Sequence, residues 1–481
     1  CRNRTNNKNK KQAITETMAE LKVAALELGT ERIRKLLVQY AVPAIIAMTA
    51  SSLYNMVDSI FIGHGVGPLA ISGLALTFPL MNLAAAFGSL VGVGAATLVS
   101  MRLGQRDYET AQRVLGNVVM LNIIIGIAFS IVALLFLDPI LYFFGASEAT
   151  IGYAREYMVI ILLGNVVTHI YLGLNSILRA AGHPRKSMYA TISTVVINAI
   201  LDPIFIFWFD WGIRGAAIAT ILAQIISLVW QFRLLSDRQE LLHFRRGIYR
   251  LRRKIVRDIL SIGMSPFLMN LAACFIVILI NKGLKEFGGD LMIGAYGIVN
   301  RLGFFFVMIV MGLNQGMQPI AGYNYGARQF DRVMRVLKLT MIGATCITVC
   351  GFLIGELFPR LAVSLFTADE ELIRLSVEGM RITFICYPII GFQMVATNFF
   401  MSIGMAGKAI FLSLSRQLLF LMPFLIFLPH IFDRYTSWDG SWGVWASMPL
   451  SDLLASIVAF FMLTWQLRYF RRQQASEPEK Q

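Results

Sequence analysis

The chain has 481 residues, of which 57% are hydrophobic and only 15% are charged, and its formal net charge at pH 7 is +15. Soluble globular domains carry about 25% charged residues, so this composition excludes an ordinary soluble enzyme or binding domain. The basic residues lie in loops between long apolar runs. That is the pattern of the positive-inside rule, and it argues against a nucleic-acid-binding surface.

The chain opens with a polar segment, Cys1 to Lys22, which is rich in Asn and Lys and lacks the apolar centre of a signal peptide. We expect residues 1–30 to form a polar cytoplasmic tail. Because the sequence does not begin with methionine, we interpret Met18 as the native start and the residues before it as a tag or a misassigned leader.

Twelve apolar runs follow, and most have about 20 residues or more, which is long enough to cross a bilayer as a helix. Lipid offers no hydrogen-bond partners, so backbone groups in such runs must be satisfied within helices. The sequence therefore predicts an all-α polytopic membrane protein with twelve transmembrane helices in two pseudo-symmetric six-helix lobes. The predicted spans are Leu36–Ile62, Leu69–Val99, Val114–Leu137, Tyr157–Leu178, Met188–Phe209, Ile213–Leu234, Ile259–Ile280, Met292–Ile320, Leu337–Phe358, Ile382–Ile403, Ile410–Leu428 and Val444–Leu467.

Positive charge follows the even-numbered spans, whereas the loops after spans one and three carry no Lys or Arg. The positive-inside rule then puts both termini and the long central loop in the cytoplasm. We accordingly predict a bacterial plasma (inner) membrane protein. The basic clusters after spans two, four, six and eight are Arg102–Arg113, Arg179–Lys186, Arg233–Arg257 and Arg328–Lys338.

The two halves of the chain repeat each other. The stretch from Gly104 to Leu115 is matched 222 residues later by the stretch from Gly326 to Leu337, and Gly182 recurs as Gly404 at the same offset. A period this long indicates one duplicated six-span unit. Six is even, so both lobes have the same orientation about an axis along the membrane normal, an arrangement typical of transporters. We predict lobes at residues 31–235 and 256–470, a basic linker at 236–255 and a tail at 471–481.

The first lobe carries acids at membrane depth, where a carboxylate is costly and indicates a functional site. Asp58 lies in span one. Asn198 and Asp202 lie four residues apart in span five and therefore share one helix face. Pro203, which follows, has no N–H and is expected to disturb the helix at that point.

Two further oxygen-bearing side chains, Tyr157 in span four and Thr220 in span six, fall in the same outer layer at a rise of about 1.5 Å per residue. This set of acids and neutral oxygens suits a proton or a hard cation, and Asp58, Asn198 and Asp202 are candidate Na⁺ ligands. The alternative is that each acid faces a water-filled vestibule or caps a helix end.

The second half departs from the first at these positions, with Asn281 in place of Asp58 and Phe424 in place of Asp202. Its charges at membrane depth are Arg301, Arg416 and Asp452. We expect Arg416 and Asp452 to pair across spans eleven and twelve, either as a structural ion pair or within a polar network of the second lobe that includes Arg301.

The ordered motifs resemble the multidrug and toxic compound extrusion (MATE) family, and are closest to its bacterial multidrug members. The likeness extends from about Glu31 to Arg472. The residues that carry it are Val57–Gly63, Arg179–Pro184, Asn198–Phe205, Gly215–Thr220 and Gln318–Ala327.

The resemblance implies twelve helices in two lobes and antiport of drugs against Na⁺ or H⁺. It assigns the cation site to Asp58, Asn198 and Asp202, accompanied by Tyr157 and Thr220. Some members instead use a Glu in span seven and an Asp in span ten, and this chain has neither, so no cation site is expected in its second lobe.

We therefore expect a secondary antiporter for amphiphilic, cationic drugs, with membrane lipid around it, no nucleic-acid partner, no enzymatic activity, and no cofactor besides a coupling Na⁺ or H⁺. We expect it to be a monomer. One alternative is a flippase for lipid-linked precursors, which would require a cationic central cleft for phosphates. Another is a membrane scaffold or receptor without transport activity.

Overall fold

The computed structural model describes residues 27–66, 68–367, 369–435 and 439–476. The N-terminal segment up to residue 26, with the interpretation of Met18, lies outside the described residues, as do the last five residues of the predicted tail. Within the described ranges the regular structure is helical and no strand occurs. Eleven helices are long and apolar enough to span a membrane, or twelve if one bent pair counts as a span.

The first lobe comprises α1 to α7. Its third and fourth long helices are separated by a short helix, α4, that the hydrophobicity pattern did not predict. The bounds are α1 Ile33–Gly65, α2 Pro68–Gly104, α3 Tyr108–Leu135, α4 Leu137–Phe143, α5 Ile151–Ala180, α6 Pro184–Pro203 and α7 Gly212–Ser236.

The second lobe repeats this order. The spans predicted at Ile259–Ile280 and Met292–Ile320 form one helix, α8, broken at Gly289, whose φ of 70° is the left-handed conformation that glycine favours. We call its arms α8a (Arg253–Gly289) and α8b (Leu291–Gly326). The remaining helices are α9 Phe330–Leu357, α10 Pro359–Ser364, α11 Glu370–Phe384, α12 Tyr387–Ser402, α13 Ala406–Leu414, α14 Met422–Tyr435 and α15 Gly440–Ser476.

The bent pair is α11 and α12, which meet at 53° and together take the place of the predicted tenth span. Pro388 stands at the start of α12, where its missing N–H costs no hydrogen bond. The short helix α10 begins 222 residues after α4, so it is a second copy of the same unpredicted element. The repeat seen in the sequence thus extends to the irregular parts of the fold.

The lobes contact each other at glycines, where the absence of a side chain lets two helix backbones approach closely. A Cβ on Gly263 of α8a would lie 1.7 Å from the Leu90 carbonyl oxygen of α2, and a Cβ on Gly94 would lie 2.1 Å from the Ile259 carbonyl oxygen. No side chain fits at such distances, so only glycine allows α2 and α8a to approach this closely.

A second set of glycine contacts consists of two halves that the 222-residue repeat relates to each other. A Cβ on Gly104 would lie 1.9 Å from the Tyr323 carbonyl oxygen, and a Cβ on Gly326 would lie 2.1 Å from the Met101 carbonyl oxygen. Gly326 follows Gly104 by 222 residues, as Tyr323 follows Met101. Each half of the contact is therefore the image of the other, and the contact lies on the axis that relates the lobes.

These contacts concentrate at one end of the helical bundle. Helices α1, α3, α8 and α9 begin at this end, and α2 and α15 finish there. We call it the basic end because three groups of basic residues lie there, in Arg102–Arg113, Arg328–Lys338 and Arg468–Arg472. On α1, the backbone of Ala41 packs against Gly316 of α8b in the same half of the bundle. In this conformation the lobes are joined at the basic end.

The linker between the lobes is held to the first lobe by Glu240. Its carboxylate accepts a hydrogen bond from His183 Nε2 at 2.7 Å and forms an ion pair with Lys186. These two groups hold the pKa of the Glu240 carboxyl well below its usual value, at about 2, although burial opposes the shift. The linker is thus fixed to the fold by charge as well as by chain connectivity.

We predict that Gly263→Ala destabilises the protein, because the new methyl group cannot fit beside the Leu90 carbonyl without separating the lobes. The expected loss is at least about 1 kcal/mol, seen as a lower midpoint of thermal unfolding in detergent. Gly297→Ala on α8b is the control, since a Cβ there meets nothing within 4 Å. Its stability should be unchanged or higher because alanine favours helix. Equal effects of both substitutions would contradict the packing account.

We predict that Glu240→Gln lowers stability at pH 7 by about 2 kcal/mol, since hydrogen bonds to a charged group are lost. Folding lowers this pKa from a usual value of 4.5. The stabilisation is therefore fully present above pH 4.5 and disappears as the pH falls towards 2. Unfolding midpoints measured from pH 7 downwards should converge for wild type and variant. A constant difference over that range would disprove the assignment.

Candidate functional site

The polar cluster of the first lobe is built around the end of α6. The helix ends at Pro203, which cannot donate a backbone hydrogen bond, and a π-helical turn follows at Ile204–Trp208. Single π turns inside helices are frequent at functional sites. Helix α6 packs against both α1 and α7. The face that carries Asn198 and Asp202 is buried between these neighbours.

Four of the five predicted site residues come together here. Asn198 Nδ2 donates to Asp202 Oδ1 and to Thr220 Oγ1, both at 3.2 Å. The Asp58 carboxyl reaches across from α1 to within hydrogen-bonding distance of the Asp202 carboxyl. The exposed fractions of Asp58, Asn198, Asp202 and Thr220 lie between 0% and 8%. Residues separated by up to 162 positions in the sequence thus form one enclosed cluster.

Three oxygen atoms of this cluster have no hydrogen-bond donor among the described residues. They are Asp58 Oδ1, Asn198 Oδ1 and Asp202 Oδ2, and each is buried. Buried acceptors without partners are costly, and two adjacent carboxylates repel each other unless they share a proton or a cation. An all-oxygen set of this kind can hold a proton between the carboxyls or a hard cation such as Na⁺.

Tyr157, the fifth predicted residue, lies on α5 and is 1% exposed. It packs in an apolar cluster with Ile62, Ile206 and Ile213. Ile62 and Ile206 each follow a site acid, Asp58 or Asp202, by four residues, and Ile213 lies in the first turn of α7. It therefore forms part of the wall of this half of the lobe. A role for its hydroxyl as a ligand stays a prediction.

The ion pair predicted in the second lobe forms. Arg416 Nε donates to Asp452 Oδ1 at 2.5 Å and joins a π-helical turn, Ser415–Leu421, to α15. The Asp452 side chain is 5% exposed and that of Arg416 33%. The carboxylate of this pair is buried and the guanidinium is partly exposed, whereas the cluster of the first lobe consists of acids and neutral oxygen-bearing groups.

Arg301 does not join this pair. It lies exposed on α8b, and no hydrogen bond or ion pair involves it in the described ranges. The residue that does approach the pair is Tyr387, which is close enough for both charges to act on its hydroxyl and stacks on Phe384 with ring centroids 4.1 Å apart. Sequence reasoning missed Tyr387, although a tyrosine followed by proline inside an apolar run was a usable signal.

A family model, MatE, matches residues 43–204 and 264–427 of the chain. The multidrug export protein MepA of Staphylococcus haemolyticus (strain JCSC1435) is 28% identical over 429 residues, which are 89% of this chain and 93% of that protein. MepA of Staphylococcus aureus (strain MSSA476) is 26% identical with the same coverage.

Solved structures of similar proteins agree with this fold. A MATE transporter in its bent conformation has a TM-score of 0.87 at 25% identity and covers 94% of this chain and 99% of its own. A MOP superfamily transporter from Pyrococcus furiosus has a TM-score of 0.86 at 25% identity, with 93% and 98% covered. The duplicated arrangement of helices is thus shared with transporters over nearly the whole chain.

We predict that the Arg416–Asp452 pair behaves as a unit in stability measurements. Arg416→Met leaves the buried Asp452 carboxylate without its partner and should cost about 3 kcal/mol, whereas Asp452→Leu leaves the partly exposed Arg416 unpaired and should cost less. The double variant removes both charges and should recover most of that loss. Thermal unfolding of the four proteins in a double-mutant cycle measures the coupling. Additive losses in the double variant would show that the two side chains do not depend on each other.

Proposed function

The chain belongs to the MatE family, and from this premise we propose that it exports amphiphilic, cationic compounds in exchange for H⁺ or Na⁺ bound at Asp58 and Asp202. Family membership makes it a membrane transporter and not an enzyme. The observation that carries the proposed exchange is the buried carboxyl pair with three oxygen atoms that lack donors.

In this proposal the coupling cation controls how closely α1 and α6 pack, because each helix carries one of the two acids. When a proton or Na⁺ occupies the cluster, the repulsion between the two carboxylates is removed and α1 and α6 can pack closely. When the cation leaves, the two acids favour separation or access to water. A cation shifts the balance between two conformations only through its different affinity for each. In this proposal the coupling ion binds more tightly to the closely packed form.

Helix α1 connects this cluster to the seam between the lobes. Asp58 lies in its outer part, and Ala41 in its inner part packs against Gly316 of the second lobe. Asp58 follows Ala41 by 17 positions, which corresponds to about 25 Å at a rise of about 1.5 Å per residue. Pro43 stands between the two contacts and interrupts the helical hydrogen bonds. A change at Asp58 can therefore reach the interface at which the lobes would rock.

We further propose a bacterial plasma membrane location with both termini and the linker in the cytoplasm, in line with the basic end described above and with the staphylococcal relatives. The partners in this proposal are small-molecule drugs and membrane lipid, with no nucleic acid, no cofactor beyond the coupling ion and a monomeric protein. Na⁺, if it is the ion, would be held by Asp58, Asn198, Asp202 and Thr220.

The lipid-linked precursor flippase has less support. Such a transporter needs several uncompensated cations in its central cleft to hold phosphates. Of the two arginines predicted at membrane depth in the second lobe, Arg416 is paired with Asp452. Arg301 remains, and a single guanidinium is a weak basis for a diphosphate site.

We predict that Asp58→Asn and Asp202→Asn each reduce ion-driven efflux to the level of protein-free vesicles while the protein still folds. The measurement is efflux of a fluorescent cationic dye from proteoliposomes under separately imposed Na⁺ and pH gradients, which also identifies the ion. Asp138→Asn is the matched control, because this acid is exposed and paired with Arg155 at the surface. Efflux by Asp58→Asn at the wild-type rate would disprove the proposal.

A further inference from the structure

A cavity of about 830 Å³ opens at the basic end between the lobes. One wall is the start of α1, with Arg32 and Arg34, and the other is the first turns of α9, with Arg332, Arg335 and Lys338. The cavity is far from the acid cluster, because α1 begins here and carries Asp58 near its other end. No residue of the proposed transport mechanism lines it.

The charges of this cavity are unbalanced. Five cationic side chains line it, and the single acid on its wall, Glu31, is already paired with Lys35. Arg332 is held in place by the backbone carbonyls of Leu28 and Glu31, at 3.0 and 2.8 Å. In the part of the chain that the structure describes, no carboxylate lies within ion-pair distance of Arg32, Arg34, Arg335 or Lys338. The cavity therefore favours an anion.

Apolar surface continues from the charged residues toward the middle of the bundle. Ile342 of α9 lines the cavity and is 51% exposed, and α1 exposes Val38, Val42 and Ile46 at helical spacing along its outer face. A small soluble anion would use only the cationic part. A molecule with an anionic head and apolar chains would use both parts, which is the chemistry of a phospholipid at the surface of a membrane.

The repeat explains how this place differs from the corresponding place in the first lobe. Lys338 corresponds to Gly116 on α3, and a Cβ on Gly116 would lie 2.4 Å from the Ile248 carbonyl oxygen of the linker. Asn117 fixes the linker there through Ile248 O at 3.2 Å and the Arg252 N–H at 3.1 Å. In the first lobe the linker backbone lies directly on the helix. The lysine at position 338 prevents such an approach and lines an open cavity instead.

The N-terminal segment does not complement this cavity in charge. Residues 1–26 contain six Lys or Arg and two Glu, so their net charge has the same sign as the cavity wall. We propose that the cavity binds the phosphate head group of an anionic phospholipid, with the acyl chains along the exposed apolar faces of α1 and α9. Such a lipid contacts both lobes and stabilises the conformation in which they meet at the basic end.

The test compares lipid binding by the full chain purified in detergent. Native mass spectrometry counts the lipids retained from dioleoyl phosphatidylglycerol or dioleoyl phosphatidylcholine at equal concentration. We expect the wild type to prefer phosphatidylglycerol by about tenfold, since each cation near an anionic lipid strengthens binding. The double substitution Arg335→Gln with Lys338→Gln should remove most of this preference. Equal retention of both lipids by the wild type would overturn the proposal.

The control is Arg468→Gln with Arg471→Gln, an exposed pair with the same spacing near the end of α15. It lies at the same end of the bundle, because the neighbouring Phe470 ring stacks on Phe330 at 5.0 Å. This variant should keep the wild-type preference. If both double variants lose it equally, general surface charge explains the binding and the site is disproved.

Two further measurements separate lipid from free phosphate and from misfolding. Phosphatidylglycerol should raise the wild-type unfolding midpoint, whereas inorganic phosphate at the same concentration should not. An equal rise with inorganic phosphate would contradict a lipid site. If the double variant does not fold, Lys338→Gln alone should lose part of the preference, because its side chain is exposed. An unchanged preference in that variant would exclude the site.

Discussion

Two carboxyl groups within hydrogen-bonding distance, enclosed in the apolar first lobe, impose the constraint on which the rest of this structure depends. Asp58 and Asp202 belong to helices far apart in the sequence, and Asn198 and Thr220 complete a cluster with more buried acceptors than donors. Such an arrangement is stable only with added positive charge, because like charges at this distance repel. The π-helical turn after Pro203 and the dense packing of α1, α6 and α7 keep the two acids together.

Much of this could be predicted from the sequence. Hydrophobic runs long enough for a bilayer, basic loops and a 222-residue repeat determine the helices and the lobes, and helical spacing puts Asn198 and Asp202 on one face. The Arg416–Asp452 pair followed from two charges at similar depth in adjacent spans. These features are predictable because they depend on local periodicity or on the cost of isolated charges in lipid.

The remaining features depend on backbone contacts between distant segments, and periodicity does not report those. The short helices α4 and α10, the two π-helical turns and the approach of Tyr387 to Asp452 were not predicted. Nor was the close contact of Gly263 with Leu90, since a glycine in an apolar run looks the same whether it faces lipid or another helix. The cavity lined by Lys338 could not be predicted either. It was recognised by comparison with Gly116, the repeat counterpart of Lys338, on which the linker backbone packs in the first lobe.

The paired contacts of Gly104 and Gly326 constrain both copies of the duplicated unit at once. Each glycine touches a carbonyl that is the symmetry counterpart of the one touched by the other. A side chain at either position would force apart the same two helices, α2 and α8b, so the intact glycine in one repeat cannot relieve a substitution in the other.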